Sequence, residues 1–99
     1  MTAASRADEV RIARDSAITI VTLARTAKAN ALDLPLLAAL DAALDAVDRD
    51  RGCKAMILAS ASAKAFCAGG DIVAWGALSP REMATRWIRD GHRVLDRLA

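Results

Sequence analysis

The stretch KAMILASASAKAFCAGGDI, residues 54–72, decides how the rest of the chain is read. Its first seven residues are a short apolar run bounded by loops. Their length, and their position after a helical pattern, favour a buried strand over residues 54–60. The last eight, AFCAGGDI, put two adjacent glycines between that strand and a short helical stretch from Asp71 toward Trp75. Glycine removes the Cβ, so another group can approach the backbone N–H closely. A turn running into a helix also presents unpaired N–H groups backed by the positive end of the helix dipole. That suits an anion, or an oxygen that becomes negative during a reaction, and one such donor is worth about 3 kcal/mol in a transition state. From the bare spacing the plainer reading comes first: Gly69 and Gly70 make a tight connection, and Asp71 is an ordinary N-cap.

Upstream, EVRIARDSAITIVTLAR reads as a hairpin. Val10, Ile12 and Ala13 lie on its first strand, Asp15 and Ser16 make the turn, and residues 17–23, rich in β-branched side chains, form the second strand. TAKANALD then breaks the strand. The segment LDLPLLAALDAALDAVDRD is helical, with Asp33 as N-cap and Pro35 in the first turn, where a missing N–H costs little. Leu36, Leu40, Leu44 and Val47 recur at helical spacing beside Leu37, while Asp41, Asp45 and Asp48 mark a polar face and Gly52 is the expected stop. A strand, a crossover helix and another strand imply a mainly parallel sheet with a right-handed connection. In such sheets ligands sit at the carboxyl ends of strands, which is where AFCAGGDI falls.

Downstream, SPREMATRWIRDGHRVLDRLA opens with a capping box: Ser79 as N-cap, Pro80 at the first helical position and Glu82 at the third. Ala84, Trp87, Ile88, Gly91, Val94, Leu95 and Leu98 form one apolar side, still running at Ala99 with no glycine or asparagine cap. Such a face seeks a partner, so a homo-oligomer is expected.

Composition narrows the function classes. The 99 residues hold one domain at most, and the 55% hydrophobic content is carried by alanine, with only 3% aromatic residues. The net charge of +2 is mixed along the chain, with no basic stripe interleaved with aromatics, which argues against a nucleic-acid partner. No apolar run is long enough to cross a bilayer and the first fifteen residues lack the apolar segment of a secretory signal, so no membrane role and a cytoplasmic location are expected. Two cysteines, Cys53 and Cys67, and one histidine leave almost no material for a metal site, and the thiols read as free and buried. Cys67 as a nucleophile would need His92 as its base, and His92 reads instead as a helix-surface or interface residue.

Two segments carry a resemblance. ITIVTLARTAKANALD and, after a leucine-rich helix, KAMILASASAKAFCAGGDI look like the N-terminal part of the enoyl-CoA hydratase/isomerase family, the crotonases. Members pair an R-P-x-K-x-N-A-L-like segment with an F-x-A-G-A/G-D-hydrophobic segment at about this separation. The resemblance implies an α/β fold, the N-terminal part of a crotonase-like ββα spiral: hairpin, helix, strand, glycine turn, helix. It would fill residues 9–99, behind a disordered lead-in over 1–8 and without the C-terminal remainder. It also implies an acyl-CoA thioester as substrate, with coenzyme A entering as part of that substrate and no covalently bound cofactor. The thioester oxygen would gain charge as an enolate forms, held by two backbone N–H groups, one of them from Gly70. Lys28, Ala29 and Ala31 match positions lining the coenzyme A site; Ala68, Gly69, Asp71 and Ile72 match the other wall, near the adenine and pantetheine. Lys28 could meet a phosphate as a point charge.

The chain departs from the pattern at Thr26 and Ala27, where a proline and an acid often stand. The family's second N–H donor and acid–base glutamates would lie beyond Ala99, so the expected site is half-built and the 99 residues alone are expected to be inactive. Hydration of a 2,3-double bond is the leading reaction and isomerisation the next. Two rivals remain at this level: a binding or assembly module without chemistry, and a generic phosphate-binding half-module resting on the glycine turn and Lys28.

Overall fold

The computed structural model describes residues 6–99, in the order hairpin, helix, strand, glycine turn, helices. A 3₁₀ turn, Arg6–Glu9, leads into β1, Val10–Asp15. The expected lead-in falls, up to residue 5, outside the described residues. β1 pairs antiparallel with β2, Ile18–Leu23, with Asp15 opposite Ile18. The connection is therefore Ser16 and Ala17, one residue later than the sequence suggests. Ser16 takes a left-handed conformation, φ 56°, which closes a two-residue hairpin loop without splaying the strands.

The helix α1, Leu34–Arg49, starts as expected: the Asp33 carboxylate accepts the Leu36 N–H at 3.0 Å. It ends at Arg49 with Asp50 as C-cap, so Gly52 lies beyond the stop rather than making it. β3 is Ala55–Ser60, without Lys54, and pairs parallel with β2. The sheet order is β1-β2-β3. The expectation of a mainly parallel sheet gives way to a mixed one, because the hairpin supplies one antiparallel pair and α1 crosses over to one parallel pair. β3 is also an edge strand and not fully buried: Met56 and Leu58 face the core, while Ile57 is half exposed on the open side.

The core lies on one face of the sheet. Val21 and Leu23 of β2 meet Leu37, Leu40, Ala43 and Leu44 of α1, and Val94 closes the cluster from the far side. The last helical run has three parts: α3, Pro80–Glu82, a π-helical stretch, Met83–Arg89, and α4, Asp90–Asp96. The Ser79–Glu82 capping box is formed in both directions. The apolar side expected of this run divides. Trp87, Gly91, Val94 and Leu98 pack toward α1, whereas Ala84, Ile88 and Leu95 are exposed. Gly91 is buried against α1, where a Cβ would make an ordinary contact, 3.4 Å from Leu37 Cδ1.

The polar face expected of α1 holds the run from outside. Arg97 reaches Asp41, Asp45 and Asp48 at 2.5, 2.9 and 2.8 Å, and Arg93 reaches Asp41 at 3.0 Å. Among the described residues no helix is long and apolar enough to cross a membrane. Cys53 and Cys67 are free and half-buried, not fully buried as expected.

Candidate functional site

The two sequence segments singled out above lie side by side at the carboxyl end of the sheet. After β2 the chain makes a 3₁₀ turn, Thr26–Lys28, then two successive left-handed residues, Ala29 at φ 50° and Asn30 at φ 58°. Left-handed backbone costs about 1–2 kcal/mol for a residue with a Cβ and least for asparagine. Asn30 is fully buried and meets that cost with three side-chain bonds. Its Oδ1 accepts the Arg25 N–H at 2.8 Å, and its Nδ2 donates to Ser60 Oγ at 2.9 Å and Phe66 O at 3.0 Å. One amide thus ties the loop after β2 to the end of β3 and to the approach of the glycine turn.

Backbone bonds then run the two segments together as a short parallel ladder. The Ala68 N–H donates to Ala29 O at 3.0 Å, the Leu32 N–H to Gly69 O at 2.7 Å, and the Asp71 N–H to Leu32 O at 2.8 Å. Gly70 is the bridge partner of Leu32. In a parallel bridge the partner's neighbours make the bonds, so Gly70's own N–H turns to the other side. It has no acceptor among the described residues.

Arg25 pins this arrangement from beneath. Its side chain is 11% exposed, and its guanidinium donates to Ala31 O at 2.7 Å while pairing with Asp71 at 3.0 Å and Asp33 at 3.2 Å. The Asp71 carboxylate also accepts the Val73 and Ala74 N–H groups, both at 3.1 Å, as N-cap of α2, Ile72–Gly76. The Ala74 N–H first, then Arg25, hold its carboxyl below the usual carboxylate range. Two of the helix donors that the sequence offered to an anion, the Val73 and Ala74 N–H groups, are therefore occupied by Asp71. The N–H groups of Gly69, Gly70 and Ile72 have no acceptor among the described residues, and of these three residues Gly70 lines a cavity.

The candidate residues take different places. Lys28, Ala68 and Gly69 are exposed, Ala29 is half-buried, and Ile72 is 73% exposed. Ala31 is buried, its N–H donating to Lys28 O and its carbonyl taken by Arg25. Gly70 instead lines a cavity of about 220 Å³ with Leu32, Trp87, His92 and Leu95. His92 is exposed, as expected of a helix-surface residue, and also faces this cavity. Cys67 does not line the cavity, and its Sγ lies 3.2 Å from Asn30 O.

Three residues escaped the sequence reading: Arg25, Asn30 and Trp75. Arg25 and Asn30 lie inside the first segment. An arginine at a strand end and an asparagine before Ala-Leu were the available signals. Trp75 stands one helical turn after Asp71, and its indole rests against Gly70: a Cβ there would lie 2.1 Å from Trp75 Cζ2.

This is the α/β scaffold of the crotonase-like proteins, with a glycine turn beyond a parallel strand and an unpaired backbone donor on a residue that lines a cavity. The enoyl-CoA hydratase/isomerase family model matches residues 18–97, and the chain belongs to that family. A solved enoyl-CoA hydratase/carnithine racemase from Magnetospirillum magneticum is 34% identical, with a TM-score of 0.82 over 92% of this chain and 34% of its own. An enoyl-CoA hydratase from Bacillus anthracis, 22% identical, shares the fold with a TM-score of 0.81 over 90% of this chain and 34% of its own. A Rhizobium meliloti protein described as a probable enoyl-CoA hydratase is 51% identical over 53 residues, 54% of this chain. The aligned segment is 20% of that relative's length, so the chain matches only a fraction of the whole protein.

Proposed function

We propose that this chain forms the acyl-CoA-binding portion of an enoyl-CoA hydratase/isomerase-like enzyme, with the Gly70 N–H as one of two donors to the thioester oxygen. The observation that carries this reading is the unpaired Gly70 N–H beside a cavity, at a turn where the Val73 and Ala74 N–H groups are taken by Asp71. In hydration of a 2,3-double bond, a water-derived oxygen adds at carbon 3 and the electron pair moves to the thioester oxygen. A proton then reaches carbon 2 and the carbonyl re-forms. A donor fixed where that charge develops lowers the barrier without rearranging. Lys28, Ala29 and Ala31 line one side of the coenzyme A path, and Ala68, Gly69, Asp71 and Ile72 the other. Asp71 acts there through position, since its carboxylate is committed to Arg25 and to α2.

The carboxylates nearest the turn, Asp33 and Asp71, both pair with Arg25, which suits them to hold the loop and not to exchange protons. The chain by itself is therefore expected to bind a thioester and not to turn it over. The test is a titration of the ¹⁵N-labelled chain with an acyl-CoA thioester to millimolar concentration. Saturable shifts at Ala29, Ala31, Ala68 and Gly70 are expected, and unmoved amides at all four would overturn the reading. Exposure of Ile88 and Leu95 favours one addition: the chain also associates with a further copy of itself through this helix.

A further inference from the structure

Trp75 carries a buried polar atom that neither the fold nor the reading above uses. Its Nε1–H is shut off from solvent and has no hydrogen-bond partner. Among the described residues the Thr19 hydroxyl shares that condition, but a hydroxyl rotates, whereas an indole nitrogen is a donor only and fixed in its ring. A buried indole N–H ordinarily finds an acceptor.

Its location gives the orphan a meaning. Cε2, the carbon bonded to Nε1, lies 2.7 Å from the place a Gly70 Cβ would occupy. The nitrogen therefore stands beside Gly70, whose own N–H also lacks an acceptor. The ring is held there from two sides. The Trp75 backbone N–H donates to Asp71 O at 2.9 Å, and the indole meets Trp87 edge to face at 5.3 Å and 71°. Trp87 is a wall shared by two cavities: the one beside Gly70, and one of about 170 Å³ lined by Leu34, Pro35, Trp75 and Leu78.

Trp75 itself lines the second cavity and not the one beside Gly70. We propose that Trp75 Nε1–H, covered until an acyl group enters beside the ring, is a further ligand donor, taking an oxygen of the acyl group whose thioester oxygen meets the Gly70 N–H. The proposal rests on the thioester-binding reading above and deepens it. In a bridged backbone the N–H lies in the plane of the ladder, and a side chain would stand across it. The indole fills the side-chain direction of Gly70, so the two donors address neighbouring oxygens and not one. The selected acyl group is short, because the ring closes the space over Gly70. It also carries an oxygen near the thioester, as a 3-oxo or 3-hydroxyl group does.

The chain has two tryptophans, so its ¹⁵N spectrum shows two indole resonances, assigned with Trp75→Phe. The probes are acetoacetyl-CoA, butyryl-CoA of equal acyl length without the second oxygen, and free coenzyme A. The Trp75 indole proton is expected to move downfield with acetoacetyl-CoA and to stay within a fraction of that shift with butyryl-CoA. Trp75→Phe keeps the ring but loses the donor. It should weaken acetoacetyl-CoA about tenfold, the effect of one hydrogen bond, and leave butyryl-CoA within about twofold. If Trp75→Phe does not fold, the two titrations of the unaltered chain decide alone. An indole resonance that responds equally to both thioesters, or to neither while the Gly70 amide moves, overturns the role of Trp75 and leaves the thioester site standing. Amides at Ala29, Ala68 and Gly70 that ignore all three probes overturn that site, and this inference with it.

Discussion

Replacing Asn30 by alanine should dismantle the joint that brings the two site segments together. Asn30 is fully buried, and its amide makes three bonds, to the Arg25 N–H, Ser60 Oγ and Phe66 O. Ser60 can turn its hydroxyl elsewhere, and it already reaches Ala65 O at 3.3 Å. The Arg25 N–H and Phe66 O would each lose a partner in a partly buried place, at about 1 kcal/mol apiece, the low end of the range for such groups. Alanine at φ 58° adds about 1 kcal/mol of backbone strain. The total, about 3 kcal/mol, is a large part of the 5–15 kcal/mol typical of a domain. With a urea slope of about 1.5 kcal/mol per molar, the midpoint should fall by about 2 M. Asn30→Gly should recover about 1 kcal/mol of this, because glycine accepts the left-handed backbone. Urea unfolding followed by circular dichroism measures both. A loss under 1 kcal/mol, or amide shifts at Ala68 and Gly70 that survive Asn30→Ala unchanged, would refute the claim that this side chain sets the site.

Leu40→Ala, at a position 1% exposed between sheet and last helix, should cost about 2–5 kcal/mol in the same assay, and a loss near zero would mean the core is misplaced. The Arg93 hydrogen bond, with Arg97 behind it, holds the Asp41 carboxyl below its ordinary value. Its contribution to stability is therefore complete above the unfolded pKa of about 3.9 and lost as pH falls through the lower folded value. Asp41→Asn should flatten the fall of stability as pH drops below about 4, and an unchanged acid limb would count against the clamp. The chain alone should sediment as an associated species that Ile88→Glu/Leu95→Glu turns into a monomer; a monomeric parent would remove the association. It should not hydrate an enoyl-CoA; steady loss of the enoyl absorbance in pure protein, surviving Gly70→Pro, would mean that the proton-moving groups were misplaced.

Most of the fold was legible because its signals are local. The Asp33 cap, the Ser79–Glu82 box and the leucine spacing of α1 each act within a few residues, and each formed as expected. The sheet was less legible. Whether β3 sits in the middle or at an edge depends on what pairs with its far side, which the pattern of AMILAS does not encode. The division of the last helix had a similar cause: its apolar stripe is wider than the face α1 can cover, so Ile88 and Leu95 stay outside. At the site, bare backbone at Gly70 was readable from the glycine pair. The groups that leave its N–H free were not. Arg25 and Asn30 act on partners up to 46 and 36 residues away, through contacts that exist only once the two loops meet. Trp75 was visible as a helix residue, but its place over Gly70 follows from the tightness of the turn.

The central claim is that the Gly70 N–H is kept free to receive the oxygen of an acyl thioester. A crystal structure of the chain with acetoacetyl-CoA tests it most directly. The account predicts the thioester oxygen about 2.7–3.1 Å from Gly70 N, the separation of a working oxyanion donor. A thioester bound elsewhere, or bound here with its oxygen turned away while Gly70 N–H donates to a protein carbonyl, would contradict it.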